Sequence, residues 1–353
     1  VSNLRPDVQV LVGAEAVQAA IQPWTTLWHA DPRAGAAQHP TVTLGLASVL
    51  DLPGEPALVV VTDRVGGGWM AALPLRCTAD GWSGLPFRIA GPPAGWHLPT
   101  AEPLVAPPTA AAAWPALTAA LEGALPWEQL DLRFLPAEGP LAHQLHGTRS
   151  AAGEARVLSL ANGPQYSGSG AARMRQYTRR LERRGQCVIT PAASASEVPE
   201  IMTRFAELHT ARWADEGAAA EFRDPATRAR LVDWAVDAQT AGLLTIGAIR
   251  LEGDVIAVHL ALNDRSGRTA WRIASSPDFP DVSLGRLLFS RMIDQAHVDG
   301  CAWYAFGRGE EAYKQSWVTE AQPLIRLVRS ATHPGAHVRR LAARLSRARS
   351  DRA

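Results

Sequence analysis

The sequence predicts an α+β protein in two successive parts, each a mostly antiparallel mixed sheet flanked by helices. Three observations carry this. The chain has 353 residues, 47% hydrophobic and 20% charged, enough for two cores of ordinary size and too apolar for disorder. Its periodicity in the second half runs strand, helices, three neighbouring strands, helix, strand, strand, which is not the alternation of a doubly wound sheet. The first half follows a similar order, as an internal duplication would.

In the first half, Val8–Val12 reads as a strand and Glu15 to Ala30 as a helix broken near Pro23. Strands Ala57–Thr62 and Trp69–Arg76 flank a Gly66-Gly67-Gly68 turn. A short strand near Phe87–Ala90 precedes the Gly- and Pro-rich loop Gly91–Pro108. An Ala-rich helix, Thr109–Gly123, and a strand, Gln129–Phe134, follow. The stretch Pro136–Ala155 reads as a linker. The expected domains are residues 1–150 and 151–331, with a basic tail over 332–353.

In the second half, Val157–Leu160 is a strand, Ala171–Arg184 a strongly basic helix and Gln186–Thr190 a short strand. Glu197–Trp213 is amphipathic, with Val198, Ile201, Met202, Phe205 and Leu208 on one face. Pro225–Gln239 is a further helix. Leu244–Leu251 and Val255–Asn263 form a hairpin turned at Glu252-Gly253-Asp254, followed by a strand at Thr269–Ala274. A helix from Ser283 to Val298, a strand at Ala302–Phe306, a short helix near Glu310–Trp317 and a strand at Leu324–Val328 close the half.

The formal charge is +1, so overall electrostatics select neither a polyanion nor an acidic partner. Cys77, Cys187 and Cys301 lie far apart with no paired spacing, as free thiols in a reducing compartment do. Val1–Val12 lacks the pattern of a signal peptide, and no apolar run approaches the roughly 20 residues of a membrane span. A cytoplasmic location is expected. The tail His333–Ala353 carries six arginines against one aspartate, with Val338, Leu341 and Leu345 at helical spacing. It reads as a docked or fraying amphipathic helix, with peripheral membrane contact as the alternative. His143 and His146 have no acidic or cysteine partners nearby in sequence, so no metal is expected.

Of 35 basic residues only one, Lys314, is a lysine. Lysine differs from arginine where a compact ammonium is to be desolvated. Lys314 stands in a segment dense in reactive groups, Gly307 to Trp317, with Arg308, Glu310, Glu311 and Tyr313. In a helix, Glu310 and Lys314 are i,i+4 neighbours and form either a plain surface pair or a fixed cation for an oxyanion or phosphate. A base is needed for transfer to an amine, and Glu310, Glu207 or His209 could serve. Upstream, Ser283 caps a helix whose first turn holds Gly285; its outward N–H groups and dipole suit a phosphate, and Arg286 adds a bidentate donor.

Several stretches resemble the CelD-like acetyltransferases of the GNAT superfamily. They are Trp24-Thr25-Thr26-Leu27, Ala71–Leu75, Arg173–Arg184 with Gly185, and Phe205–His209 with Arg212-Trp213. Ser283–Leu288 and Gly309–Lys314 with Trp317 complete the set, which spans about residues 8 to 330. The resemblance implies two tandem GNAT-like domains, as in Fem-type transferases that add amino acids to peptidoglycan precursors. It implies N-acyl transfer from acyl-CoA, acetyl-CoA foremost, to an amine such as an amino sugar or cell-envelope precursor, in a ternary complex. Ser283, Leu284, Gly285, Arg286 and Arg272 would hold the donor. Lys314, Glu310, Glu207, His209 and Tyr313 would carry the chemistry. Arg179, Arg212, Trp213, Trp317 and Arg308 would meet the acceptor. The usual pyrophosphate loop has an Arg or Gln leading two spaced glycines, whereas here Gly285 stands alone with Arg286 after it. An aminoacyl-tRNA donor and a non-catalytic binding module therefore stay open. The arginines of the basic helix would then meet a phosphate of a nucleotide-sugar, a lipid-linked precursor or tRNA; few aromatics accompany them, which does not favour RNA.

Overall fold

The computed structural model describes residues 4–80, 87–94, 97–98, 102–123, 126–212, 221–309 and 311–330. It is α+β, with nine α-helices among these residues. The chain forms two compact units. One takes in the described residues of 1–44, 52–153 and 323 onward; the other takes in 45–51 and the described residues of 154–322.

The first unit holds strands β1 (Pro6–Val12), β2 (Glu55–Asp63), β3 (Trp69–Asp80), β4 (Phe87–Gly91), β5 (Leu104–Val105) and β6 (Gln129–Pro136). Strands β1 to β4 pair antiparallel in chain order. A crossover through helix α4 (Ala110–Glu122) then brings β6 parallel to β4, at Ile89–Gln129 and Ala90–Leu130. The C-terminal strand β13 (Glu320–Ser330) returns to pair antiparallel with β6, Leu327 opposite Leu132. Val59, Val61, Leu73 and Leu75 bury one sheet face against Leu117 and Leu121 of α4. The β3 residues alternate between faces as a pleated strand requires.

Three expectations change here. The expected helix over Glu15–Ala30 is two, α1 (Ala14–Ala19) and α2 (Ile21–Ala30). The break falls at Ala20, and Pro23 sits in the first turn of α2, where its missing N–H has no bond to lose. Pro40–Val49, not expected as an element, is helix α3. The expected linker Pro136–Ala155 instead contains helix α5 (Pro140–Gln144) and most of β7 (Thr148–Ser159).

In the second unit, β8 (Cys187–Thr190), β9 (Leu244–Leu251), β10 (Asp254–Asn263) and β11 (Gly267–Ser275) pair antiparallel. The turn between β9 and β10 is Glu252-Gly253, both at positive φ (49° and 90°), the two-residue hairpin geometry for which glycine is favoured. Helix α9 (Leu284–Val298) crosses over to β12 (Trp303–Arg308), parallel to β11, and β7 completes this sheet beside β12. In each unit four strands thus pair antiparallel, a helical crossover leads to one parallel to the fourth, and a further strand pairs antiparallel to that one. That last strand is the one chain order would assign to the other unit: β7 follows β6 but pairs with β12, and β13 follows β12 but pairs with β6.

Helices α6 (Gly170–Glu182), α7 (Val198–Arg212) and α8 (Pro225–Thr240) complete the unit. Leu287, Leu288 and Met292 of α9 bury Ala257, Ala261 and Ile249 on one sheet face. Contacts of α7 with β10 and β11, and of α8 with β9, cover the sheet as well.

Candidate donor and acceptor site

Strands β11 and β12 pair only from Gly267–Thr269 to Trp303–Ala305. Beyond that β11 runs on to Ser275 and β12 to Arg308 without pairing to each other, so a parallel pair opens toward its C-terminal ends, where ligands of such sheets gather. Beside the opening lies a cavity of about 420 Å³ lined by the loop from Ser275 to Ser283, the first turn of α9, and Tyr177, Arg212, Ile273, Phe289 and Tyr313.

The α9 end of the cavity is built for an anion. Ser283 makes no side-chain cap bond; the Leu284 N–H donates to the Val282 carbonyl at 2.9 Å, and the N–H groups of Gly285 and Arg286 follow it in the first turn. Gly285 lies against β11: a Cβ would come 3.0 Å from Ile273 Cδ1. The buried Nε of Arg286 has no hydrogen-bond partner among the described residues. Opposite, Tyr177 of α6 lines the cavity, while Arg180 and Arg184 bind the carbonyl and carboxylate of Asp281 on its rim. Arg179 stays exposed on that helix.

Successive residues of β11 point to opposite faces. Ile273 faces the cavity; Arg272 meets α7 and the segment after it. Its guanidinium pairs with Glu221 at 2.9 Å and lies 3.3 Å from His209 Nε2. His209 is 5% exposed and packs on Phe205 and Phe222. Burial, then the charges of Arg272 and Arg212, lower its pKa from 6.5 to about 4 despite Glu221. It is therefore a neutral imidazole at physiological pH. Arg308 at the end of β12 is half-buried, and burial together with Arg272 holds its pKa below the ordinary arginine value. Burial keeps Tyr313 protonated, well above the usual phenol range.

Lys314 is 2% exposed. Its ammonium donates to the carbonyls of Arg308 at 2.7 Å, Gly309 at 2.9 Å and Gly307 at 3.4 Å. Its carboxylate partner is Glu311, 2.7 Å away. Ala312–Ser316 is a 3-10 helix, whose three residues per turn bring Glu311 and Lys314, i and i+3, together. The expected pairing with Glu310 falls outside the described residues, as do Trp213 and the tail 332–353. Burial lowers the Lys314 pKa and Glu311 opposes the shift. The lysine thus clips the chain where it leaves β12.

Three expected site residues stand elsewhere. Arg272, expected to hold the donor, is absent from the cavity lining and turns instead to Glu221 and His209. Glu207 is exposed, pairs with Arg204 at 2.8 Å and lines a different groove with Pro199 and Asp254. Its position on α7, two residues before His209, turns it away from Arg272. Trp317 is 2% exposed and packs on Phe306 and Tyr166 in the core. Sequence reasoning missed Glu221, Phe222, Ile273 and Phe289. The Glu-Phe-Arg run 221–223 carries no spacing signal, and Phe289 reads as an ordinary helix core position.

Residues 168–315 match the family profile of the GNAT acetyltransferase domain. No curated protein matches the chain. Among solved structures, FemX aligns with a TM-score of 0.60 at 12% identity, covering 86% of this chain and 95% of that one. L-PGS from Bacillus licheniformis gives 0.55 at 12%, covering 91% and 96%. The C-terminal domain of a protein described as a lysylphosphatidylglycerol synthetase, from Agrobacterium fabrum, gives 0.54 at 14%, covering 93% and 96%. The chain shares its fold with these three structures and carries a segment of GNAT acetyltransferase type. Among the described residues no group of His, Cys, Asp and Glu could hold a metal ion, and no helix is long and apolar enough to cross a membrane.

Proposed function

We propose that the chain is an N-acyltransferase of two tandem GNAT-like domains, with CelD-like affinity, whose second domain binds acyl-CoA. The observation that carries this is the cavity where β11 and β12 separate, with the uncapped start of α9 at its side. The donor's phosphates lie over Ser283, Leu284 and Gly285 with Arg286 beside them, where N–H groups and the helix dipole favour negative charge. The thioester reaches the opening between the strands, and the amine acceptor approaches from the Arg272 face.

The acceptor nitrogen attacks the thioester carbonyl, forming the C–N bond. His209 is in the neutral state needed to take a proton. Its low basicity confines it to the step after bond formation, when the nitrogen has become acidic. The C–S bond then breaks, Tyr313 gives the leaving thiolate a proton, and proton exchange with solvent returns Tyr313 to the phenol and His209 to the neutral imidazole. Arg272, Arg308 and Arg212 place the acceptor; Lys314, paired with Glu311, holds the turn that carries Arg308 and Tyr313. Acceptors of small-molecule or cell-envelope type, met in the cytoplasm, fit this reading.

The second reading is an aminoacyl-tRNA donor. Arg175, Arg179 and Arg183 form an exposed i,i+4 stripe on the helix that contributes Tyr177 to the cavity. Native mass spectrometry and thermal shift separate the two. Acetyl-CoA should bind one to one and raise the melting temperature. Binding of charged tRNA instead, falling steeply with salt, would favour the second reading. Binding of neither would leave a non-catalytic module.

A further inference from the structure

We propose that Phe289 sets the length of acyl group the site accepts, by closing the cavity in front of the buried His259 and Tyr304. The proposal rests on the donor reading above. Phe289 stands one turn in from Gly285 on the same face of α9 and lines the cavity, yet is 3% exposed. Its ring stacks on Phe306 (5.5 Å, 9° between planes) and packs on Tyr313 at 5.3 Å.

Behind it the chemistry changes. His259 on β10 lies 4.0 Å from the Phe289 ring, centroid to centroid, and is 0% exposed. Both of its ring nitrogens lack a hydrogen-bond partner among the described residues. Tyr304 on β12, also 0% exposed, sits 6.2 Å from the same ring, and its hydroxyl has no partner either. Buried polar groups without partners are rare. Here two of them pack on one ring, that of Phe289, which also faces the cavity.

A donor with its phosphates at Ser283 and its thioester near the strand opening points its acyl end at Phe289, Ile273 and Tyr313. A short acyl group ends there. A longer chain would have to displace Phe289 into a packed aromatic layer, and interiors at crystal-like density resist this.

The test is calorimetric titration of the whole chain with CoA, acetyl-CoA, butyryl-CoA and octanoyl-CoA, in wild type, Phe289→Leu and Phe289→Ala. In wild type, octanoyl-CoA should bind at least about tenfold more weakly than acetyl-CoA, within the range that packing contacts discriminate. Phe289→Leu should close that gap about tenfold, and Phe289→Ala, if it folds, should do so further. Equal binding of acetyl- and octanoyl-CoA to wild type overturns the proposal, and so does an unchanged ratio in Phe289→Leu; CoA binding then leaves the donor reading standing. Failure of CoA and all its esters to bind removes both.

Discussion

Lys314 shows how a residue count becomes a mechanism. As the only lysine it invited the reading of a free catalytic cation. Its ammonium is spent on three carbonyls and Glu311. Lys314→Met should therefore cost about 2–4 kcal/mol, because it leaves buried carbonyls without donors, and urea unfolding measures it. Lys314→Arg should not restore stability, since a planar fork cannot replace a compact ammonium among three converging carbonyls. If Lys314→Met unfolds like wild type, the clip is not structural. The sequence disclosed the residue and its neighbourhood but not Glu311 as a partner, because an i,i+3 pairing depends on helix type.

Three buried histidines make a pH prediction at the same scale. The pKa values of His39 and His209 are lowered from 6.5 to about 4, and that of His259 to about 3, each mainly by burial. Each group takes up a proton on unfolding at pH values between its folded and unfolded pKa. Their contribution is fully present above about pH 6.5 and is lost as pH falls, toward 4 for His39 and His209 and toward 3 for His259. The loss is roughly 3 kcal/mol at most for each of the first two and roughly 5 kcal/mol for the third. Urea midpoints measured from pH 8 to 4 should fall accordingly. His259→Phe should flatten part of that slope, since the ring nitrogens it removes have no partners. A slope unchanged by His259→Phe would contradict the assignment.

At the scale of elements, legibility followed amphipathicity. Strand β9 and the β9–β10 hairpin turn appear in sequence at their observed places because a short, mostly apolar run and an αL-tolerant Gly253 state them directly. Helix α3 was invisible because Pro40–Val49 has no charged residue and mixes Thr and Val with Leu, so it shows no polar face; its Thr43 and Leu46 are both fully buried. The first part of strand β7, before the expected strand at Val157, was hidden because Thr148–Gly153 has no large apolar residue and most of it is exposed. The exit of β12 yields an element-level prediction. Gly307 has φ of 70°, and a Cβ there would come 3.2 Å from the Ala270 carbonyl. Gly307→Ala should cost about 1–2 kcal/mol through the left-handed backbone alone, read from the unfolding midpoint. An unchanged midpoint would show that this turn relaxes freely.

At the scale of the whole molecule, the similar order of the two halves was readable, but the exchange of last strands was not. A strand's partner depends on edges that exist only once both sheets have formed. The first unit depends on β13: Leu327 is fully buried in its core, and Arg326 makes two 2.7 Å bonds to Asp131, itself 6% exposed. A chain ended after Gln322 should lose protection from hydrogen exchange in β6, including Leu130 and Leu132, before any loss in β9 and β10. Equal loss everywhere would mean that the two units do not unfold separately.

The central claim is that the open start of α9 receives the donor's phosphates, and Ser283→Asp tests it most directly. An aspartate at the N-cap should hold or raise thermal stability, since it caps the first turn and complements the dipole. The same carboxylate places a negative charge where the phosphates would sit. Calorimetric titration with acetyl-CoA should show one-to-one binding in wild type and at least about tenfold weaker binding in Ser283→Asp, the effect of one misplaced charge at a close anion site. Equal affinity in the two proteins would contradict the account.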